Sequence, residues 1–461
     1  MVYGCQPVRT AAATLVRILT GSRAPGRAAL AVAAAALLAA CSTVATHRVT
    51  QAPPERSVPA RPASITASSS SAEKSPRMAG STGAQPSEAQ TNVALLLPLT
   101  GPVAGAAATI RDGFMTAYYV DPSAGRPHVR VYDTGSLGVA LVVRRAIQDG
   151  ASFIVGPLLR PAVVAAAALE GARPPILALN YLPTGRAAPS AFYQFALSPE
   201  EEARQVARRI VADGHRDGVA LVPSGDWGNR VLAAFAGELT ADGATLVDTV
   251  RFDPGLSDLA PAIRSVLGID ASRERLRALE AVVGRLHSEP RRRQDIDFIF
   301  EPSESPPTAR LLRAEIRFYY AGNVAAYATS DSFEPDPIAN QELEGLEFPD
   351  MPWMLGGGLA DAVRAVAASA WPVKGPSQGR LFAFGFDAYR LLNALRAQPA
   401  AAPLMIEGLT GNLTLDAQHR VQRALEWAQM RGGEPHLLVP AQGAPTAPSL
   451  PPSAGSPSET R

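Results

Sequence analysis

Lysine is almost missing from this 461-residue chain, with Lys74 and Lys374 its two instances. Neither follows a glycine, so there is no GxxxxGK phosphate loop, and a Lys Schiff base would have to come from one of two loop residues. Cysteine is just as scarce. Cys5 and Cys41 both fall in the first tenth of the chain, which leaves the bulk without a disulfide, a thiolate nucleophile or a Cys metal ligand. His47, His128, His215, His287, His419 and His436 show neither HxxxH nor HExxH spacing, so nothing supports a metal site, and no cofactor is implied. An excess of one charge is lacking too. With 43 Lys plus Arg against 42 Asp plus Glu there is no basic field for a polyanion, which disfavours nucleic acid as a partner. No nucleophile, base and orienter stand at a recognisable spacing, so the chain is not expected to be an enzyme. At 47% hydrophobic residues it is long and apolar enough for two or three domains around a buried core.

The N-terminus carries an address. Arg17, Arg23 and Arg27 precede an apolar run over 28–40, whose 13 residues fall short of the ~20 that a membrane-spanning helix needs. The run ends in Leu38-Ala-Ala-Cys41, which resembles the lipobox of bacterial lipoproteins, with Cys41 the residue that receives lipid. The competing reading is an ordinary secretory signal followed by a chance cysteine. Multiple acyl chains make release from a membrane negligible, at ~0.8 kcal/mol per buried methylene. Ser42, in place of Asp, resembles the sorting pattern for the outer membrane.

Residues 42–91 hold ten Ser, six Thr, nine Ala and six Pro, with no aromatic residue and no Leu. Such a segment cannot bury enough apolar surface to offset its ordering entropy and reads as a disordered tether. Stretched, it would reach roughly 165 to 180 Å; as a coil it would average about 40 Å. Ser71-Ala-Glu-Lys74 matches the SxxK pattern of serine acyl-enzymes, but a tether cannot position a base, and neither SDN nor KTG follows. The 22 residues from Pro440 carry six Pro and read as a disordered tail.

Between the tails, short apolar runs alternate with helical windows. Strands are expected at 93–97, 128–133, 152–155, 175–179, 218–222, 244–252, 296–300 and 324–328, with helices at 104–119, 137–148, 161–170, 200–212, 227–239, 256–267 and 308–319. This alternation predicts an α/β fold of two lobes, each a doubly wound parallel sheet, with boundaries near 197–199 and 328–330. The expected division is a signal peptide (1–40), Cys41 with its tether (41–91), a two-lobed body (92–439) and a tail (440–461). The first lobe takes 92–198 and 331–400; the second takes 199–330 and 401–439.

Asn92 to Gly101 (NVALLLPLTG), Ile110-Arg-Asp-Gly-Phe114 and Val131-Tyr-Asp-Thr134 resemble the opening of the type I periplasmic-binding-protein fold. Phe153-Ile-Val-Gly-Pro-Leu158, Leu177-Ala-Leu-Asn180, Leu197-Ser-Pro-Glu-Glu-Glu-Ala203, Ser224-Gly-Asp-Trp-Gly228, the run Arg292 to Phe300, Tyr327-Ala-Thr-Ser330, Asp350-Met-Pro-Trp353 and the run Phe384 to Arg390 are similar to one family. These are the outer-membrane lipoprotein activators of class A penicillin-binding proteins (LpoA/LppC-like), and the similarity runs in order over roughly 92–438. The resemblance implies no catalysis. It implies a lipid-anchored protein that reaches from the periplasmic face of the outer membrane and stimulates a bifunctional peptidoglycan synthase. The implied partners are that synthase and the outer membrane, with peptidoglycan a further candidate. Many relatives carry a helical domain between lipid and binding-protein fold, where this chain has its tether.

In such folds a ligand sits between the lobes at the carboxyl ends of the strands. Thr100, Gly101, Gly156, Pro157, Asn180, Tyr181, Asp226 and Trp227 are the candidates for that cleft. Turn and cap chemistry explains the same residue types, and Trp227 can equally pack between lobes. For partner docking, seven Arg within 273–295, among them Arg291, Arg292 and Arg293, face seven acids and no Lys or Arg within 331–350, including Asp331, Glu334 and Asp336. The alternative is a solvated basic helix and a solvated acidic loop. Gly356-Gly-Gly358 reads as a hinge or exposed loop, and 408–416 as a turn and strand near the close of the fold. Two functions remain open: activation of a synthase, or capture of an amino acid or muropeptide for a transporter or sensor.

Overall fold

The computed structural model describes residues 92–438 except 124, 286, 371–375 and 398–403. The signal peptide, Cys41, the tether with its SxxK match, Lys374 and the Pro-rich tail lie outside the described residues.

The chain opens with β1 (Asn92–Leu97), α1 (Ala104–Val120), β2 (His128–Asp133), α2 (Val139–Gln148), β3 (Phe153–Val155), α3 (Arg160–Ala167), β4 (Ile176–Ala178) and β5 (Phe192–Gln194). The strands form an all-parallel sheet in the order β2-β1-β3-β4-β5. Its faces follow the period-two rule: Val93, Leu95 and Leu97 pack on one side, Ala94 and Leu96 on the other.

The chain then crosses at Ser198, which caps α4 (Pro199–Ala212) by accepting from the Glu201 N–H at 3.3 Å. Pro199 at the first helical position and three Glu in the first turn suit the positive end of the helix dipole. There follow β6 (Asp217–Pro223), α5 (Asp226–Ala241), β7 (Thr245–Phe252), α6 (Ala260–Val266), α7 (Ile269–Val283), β8 (Phe298–Phe300), α8 (Pro306–Ile316), β9 (Ala325–Tyr327) and β10 (Leu346–Asp350). These strands lie parallel in the order β7-β6-β8-β9-β10, the same winding as the first lobe. The body is thus a two-lobed α/β fold of the expected class.

Two lobe boundaries differ from expectation. The second lobe runs past 330, because the repeated winding needs a fifth strand and β10 supplies it. Leu346 and Phe348 are buried, but acids on either side hide the run in the sequence. The chain recrosses only after Asp350, into α9 (Pro352–Leu355), α10 (Gly358–Ala370) and α11 (Pro376–Ala397). The small antiparallel sheet β11 (Met405–Gly408), β12 (Gly411–Leu415) and β13 (Val421–Ala424) then joins the first lobe, since Leu409, Leu413 and Val421 are buried in its core. Only β14 (Glu426–Arg431) and β15 (Glu434–Leu437) return to the second sheet, antiparallel at its edge.

Helices α1 and α11 cross at backbone contact. A Cβ on Gly113 would sit 2.0 Å from the Phe382 carbonyl oxygen, and one on Gly385 would sit 1.9 Å from that of Ile110. Two of the sequence motifs therefore touch each other. Phe114 and Tyr389 pack edge to face at 5.2 Å beside the crossing.

Candidate functional site

The expected cleft residues sit at the carboxyl ends of β1, β3, β4 and β6. The side-chain polar groups of Thr100, Asn180 and Tyr181 serve the protein itself. Asp133 accepts from the N–H groups of Leu99 (2.8 Å), Thr100 (3.3 Å) and Gly135 (2.8 Å) and from the Thr100 hydroxyl (2.7 Å). The Gly135 N–H and the Thr100 hydroxyl hold its carboxyl below the usual range. Gly101 follows with φ +88° in an exposed turn. Gly156 takes φ +100° where a Cβ would lie 2.2 Å from the Leu96 carbonyl oxygen, and Pro157 beside it is buried. Asn180 donates to the Leu158 carbonyl at 3.1 Å and accepts from the Tyr181 N–H at 2.9 Å. Tyr181 is buried, its hydroxyl donating to the Val421 carbonyl at 2.8 Å and its ring beneath Arg420 at 5.5 Å. Burial pushes its phenol well up. Asp226 is exposed at the start of α5, and Trp227 is half-buried against the second-lobe core.

The docking charges divide. Arg293 bonds Asp295 (2.8 and 2.9 Å) and Asp248 (3.3 Å), and Arg292 donates to the carbonyl of Tyr320 at 3.1 Å. Glu334 receives Arg310 at 2.8 Å, and Asp336 caps the N–H groups of Ile338 and Ala339. Arg291 is exposed, with its N–H on the Ser272 hydroxyl. Asp331 is half-buried, so the acidic run does not present one continuous face.

Asp331 belongs instead to a group of charges where the lobes meet. Arg380, on α11 of the first lobe, donates to Asp350 (2.6 and 3.2 Å) and to the carbonyls of Ser330 (2.8 Å) and Phe333 (3.2 Å) in the second. Arg423, on β13, reaches Glu202 of α4 at 3.3 Å, and Glu202 also accepts the Ser330 hydroxyl at 2.8 Å. Gln205 donates to the Arg423 carbonyl (3.0 Å) and accepts from the Leu425 N–H (3.1 Å). Burial, with Glu202 close by, pushes Asp331 up to about 7 against the pull of Arg380. Burial also raises Asp350 despite that guanidinium.

These residues were not expected as a site. The readable signal is a charge inside an apolar stretch: Arg380 and Asp387 flank Leu381–Phe386, and such charges are buried only when paired. A cavity of about 460 Å³ lies elsewhere in the first lobe, lined by Val120, Asp121, Tyr389, Asn393, Met405 and Glu407 among others. Among the described residues no group of three or more His, Cys, Asp or Glu could hold a metal ion.

Known proteins share this architecture. Penicillin-binding protein activator LpoA of Photobacterium profundum is 31% identical over 73% of this chain and 55% of its own length. That of Aliivibrio fischeri is 30% identical over 73% and 56%. The chain thus spans about half the length of the curated relatives it matches. Among solved structures, the C-domain of LpoA from Haemophilus influenzae, described as a regulator of PBP1A, has a TM-score of 0.58 at 23% identity, covering 76% of this chain and all of that one. A putative branched-chain amino acid ABC transporter structure from Chromobacterium violaceum has a TM-score of 0.57 at 27% identity, over 74% of this chain and 100% of its own. The family model described as LppC putative lipoprotein matches residues 83–433, across both lobes and the charges between them, and the chain belongs to that family.

Proposed function

We propose that this chain is a non-catalytic lipoprotein that binds and activates a bifunctional class A penicillin-binding protein, and so raises peptidoglycan synthesis from the periplasmic face of the outer membrane. The names of its relatives support the partner class. The observation that carries the reading is the state of the strand ends. Where a solute would be gripped, Thr100, Asn180 and Tyr181 are bonded to their own backbone and neighbours. By linkage, activation requires tighter binding to the synthase's active conformation than to its resting one; equal affinity for both would shift nothing. The tether over 42–91 would supply reach from the anchor at Cys41.

The test is to add the purified full chain to a class A synthase and follow glycan polymerisation and peptide cross-linking. A rise in either, with co-purification of the two proteins, is the expected result; absence of both binding and stimulation removes the proposal. Cys41→Ser is expected to release the protein into the soluble fraction.

The likeness to the amino acid transporter structure favours a second reading, capture of a small solute. That reading predicts a thermal shift with free amino acids, growing as RT ln(1 + [L]/Kd). Activation predicts none.

A further inference from the structure

The chain passes between the lobes three times: before Pro199, after Asp350 and between Ala424 and Glu426. The buried charges lie against all three passages. Glu202 and Gln205 sit on the first turns after the first crossing, Asp350 immediately precedes the second, and Arg423 and Leu425 frame the third. We propose that Arg380 and Arg423 clasp the two lobes at one fixed mutual angle, so that the chain is a rigid two-lobed body and not a hinged trap.

A hinge works when a few crossing residues can absorb a change of φ and ψ without breaking buried contacts. Here a residue beside each crossing is bonded to another element: Glu202 to Arg423 and Ser330, Asp350 to Arg380, and Leu425 to Gln205. The Met351 N–H donates to Asp350 Oδ1 at 2.8 Å, and that carboxylate also holds Arg380. The Leu425 N–H donates to Gln205 at 3.1 Å, whose own amide holds the Arg423 carbonyl. Arg380 leaves one lobe and ends on two carbonyls and a carboxylate of the other, so any rotation strips several bonds from the guanidinium of a buried arginine. A charge left unpaired there has no water to turn to, which makes partly rotated states costly. The arrangement gives one orientation its preference more than it adds net stability, since both ions lose hydration on burial.

The inference is independent of which partner the chain binds. To test it, the full chain carrying Cys5→Ser and Cys41→Ser receives a spin label on each lobe, at Leu141→Cys and Leu256→Cys, both exposed. Pulsed electron resonance then measures the distance between them. One narrow distance, unchanged by a mixture of free amino acids, is expected. Two resolved distances, or a shift with amino acids, would overturn the clasp. Arg380→Met is expected to broaden the distribution at least about twofold, in line with freed domain motion. Should that variant fail to fold, Glu202→Gln keeps the shape and removes the partner charge of Arg423; a width unchanged in Glu202→Gln counts against the role given to these charges. A chain with one narrow distance that leaves the synthase unstimulated keeps the clasp and loses the function proposed above.

Discussion

The first lobe ends its parallel sheet at β5, only three residues long, whereas the second extends past the equivalent β10 with β14 and β15. Both lobes have the same winding, so the difference lies in how each is finished. An open edge is a template for unwanted pairing, and the second lobe covers its own with an antiparallel hairpin. The first spends most of its late chain on packing, with α11 against α1 and the β11–β13 sheet against the same core, and meets its β5 edge with a single parallel bridge, Gln194 to Arg420. Both interiors stack aromatic rings, Phe195 on Phe384 in the first lobe (4.5 Å, 28°) and Phe235 on Phe300 in the second (3.9 Å, 10°); what the first lobe adds is a helix crossing closed by two glycines.

The sharpest way to break this comparison is to put a methyl group in each lobe. Gly385→Ala drives a Cβ into the Ile110 carbonyl at 1.9 Å, backbone against backbone, and is expected to cost about 3 kcal/mol or more. Gly237→Ala, on exposed α5 surface with nothing within 4 Å, is expected to add up to about 1 kcal/mol through helix propensity. Urea unfolding of both variants decides. Equal effects would mean that the helix crossing is not the first lobe's organising contact.

How much of this was readable beforehand follows from the range of each interaction. β1 and β2 lie within a residue of expectation because their apolar runs are local and long enough to see. β5 escapes such a reading because three residues hold too little pattern, and β10 because acids surround its buried Leu346 and Phe348. Thr100 and Asn180 were legible as turn formers. That Glu202 would meet Arg423 was not, since 221 positions separate them and no local pattern records such a pairing. For the same reason no local pattern places 404–424 in the first lobe, where the structure puts it.

A second contrast concerns two buried carboxylates. Asp387 in the first lobe accepts from Leu409 (2.9 Å), from Thr410 N–H (2.7 Å) and from the Thr410 hydroxyl (2.6 Å). Glu301 in the second is 2% exposed, and neither of its oxygens accepts a hydrogen bond within the protein. Burial pushes Glu301 up to about 7, with Arg313 at 4.0 Å countering only part of it. A folded pKa above the unfolded value means that the folded state holds more protons between about pH 4 and 7. Stability from this group therefore falls as pH rises through that window and levels off above it. Glu301→Gln is expected to flatten this dependence and to raise stability at pH 8 by up to about 3 kcal/mol. Asp387→Asn turns an acceptor into a donor facing donors and should cost about 1 to 3 kcal/mol. Thermal unfolding from pH 5 to 8 tests the opposite signs; a loss at pH 8 in Glu301→Gln would show that Arg313 depends on the charge.

The smallest expected effect is on α7, which has no counterpart in the first lobe, where α2 alone joins β2 to β3. After Ile269 none of its side chains is buried, and Val282 is 82% exposed. Val142, on α2, is 3% exposed. The same change should therefore behave differently in the two places. Val142→Asn buries an amide without a partner and is expected to cost more than about 2 kcal/mol. Val282→Asn should change the unfolding free energy by less than about 0.5 kcal/mol, because the side chain is in water before and after unfolding. Measured by urea unfolding, a cost for Val282→Asn approaching that of Val142→Asn would mean that the stripe of Leu276, Leu279 and Val283 beside it is covered in solution. The difference between the lobes would then lie in what α7 touches, since the parallel winding beneath it is the same in both.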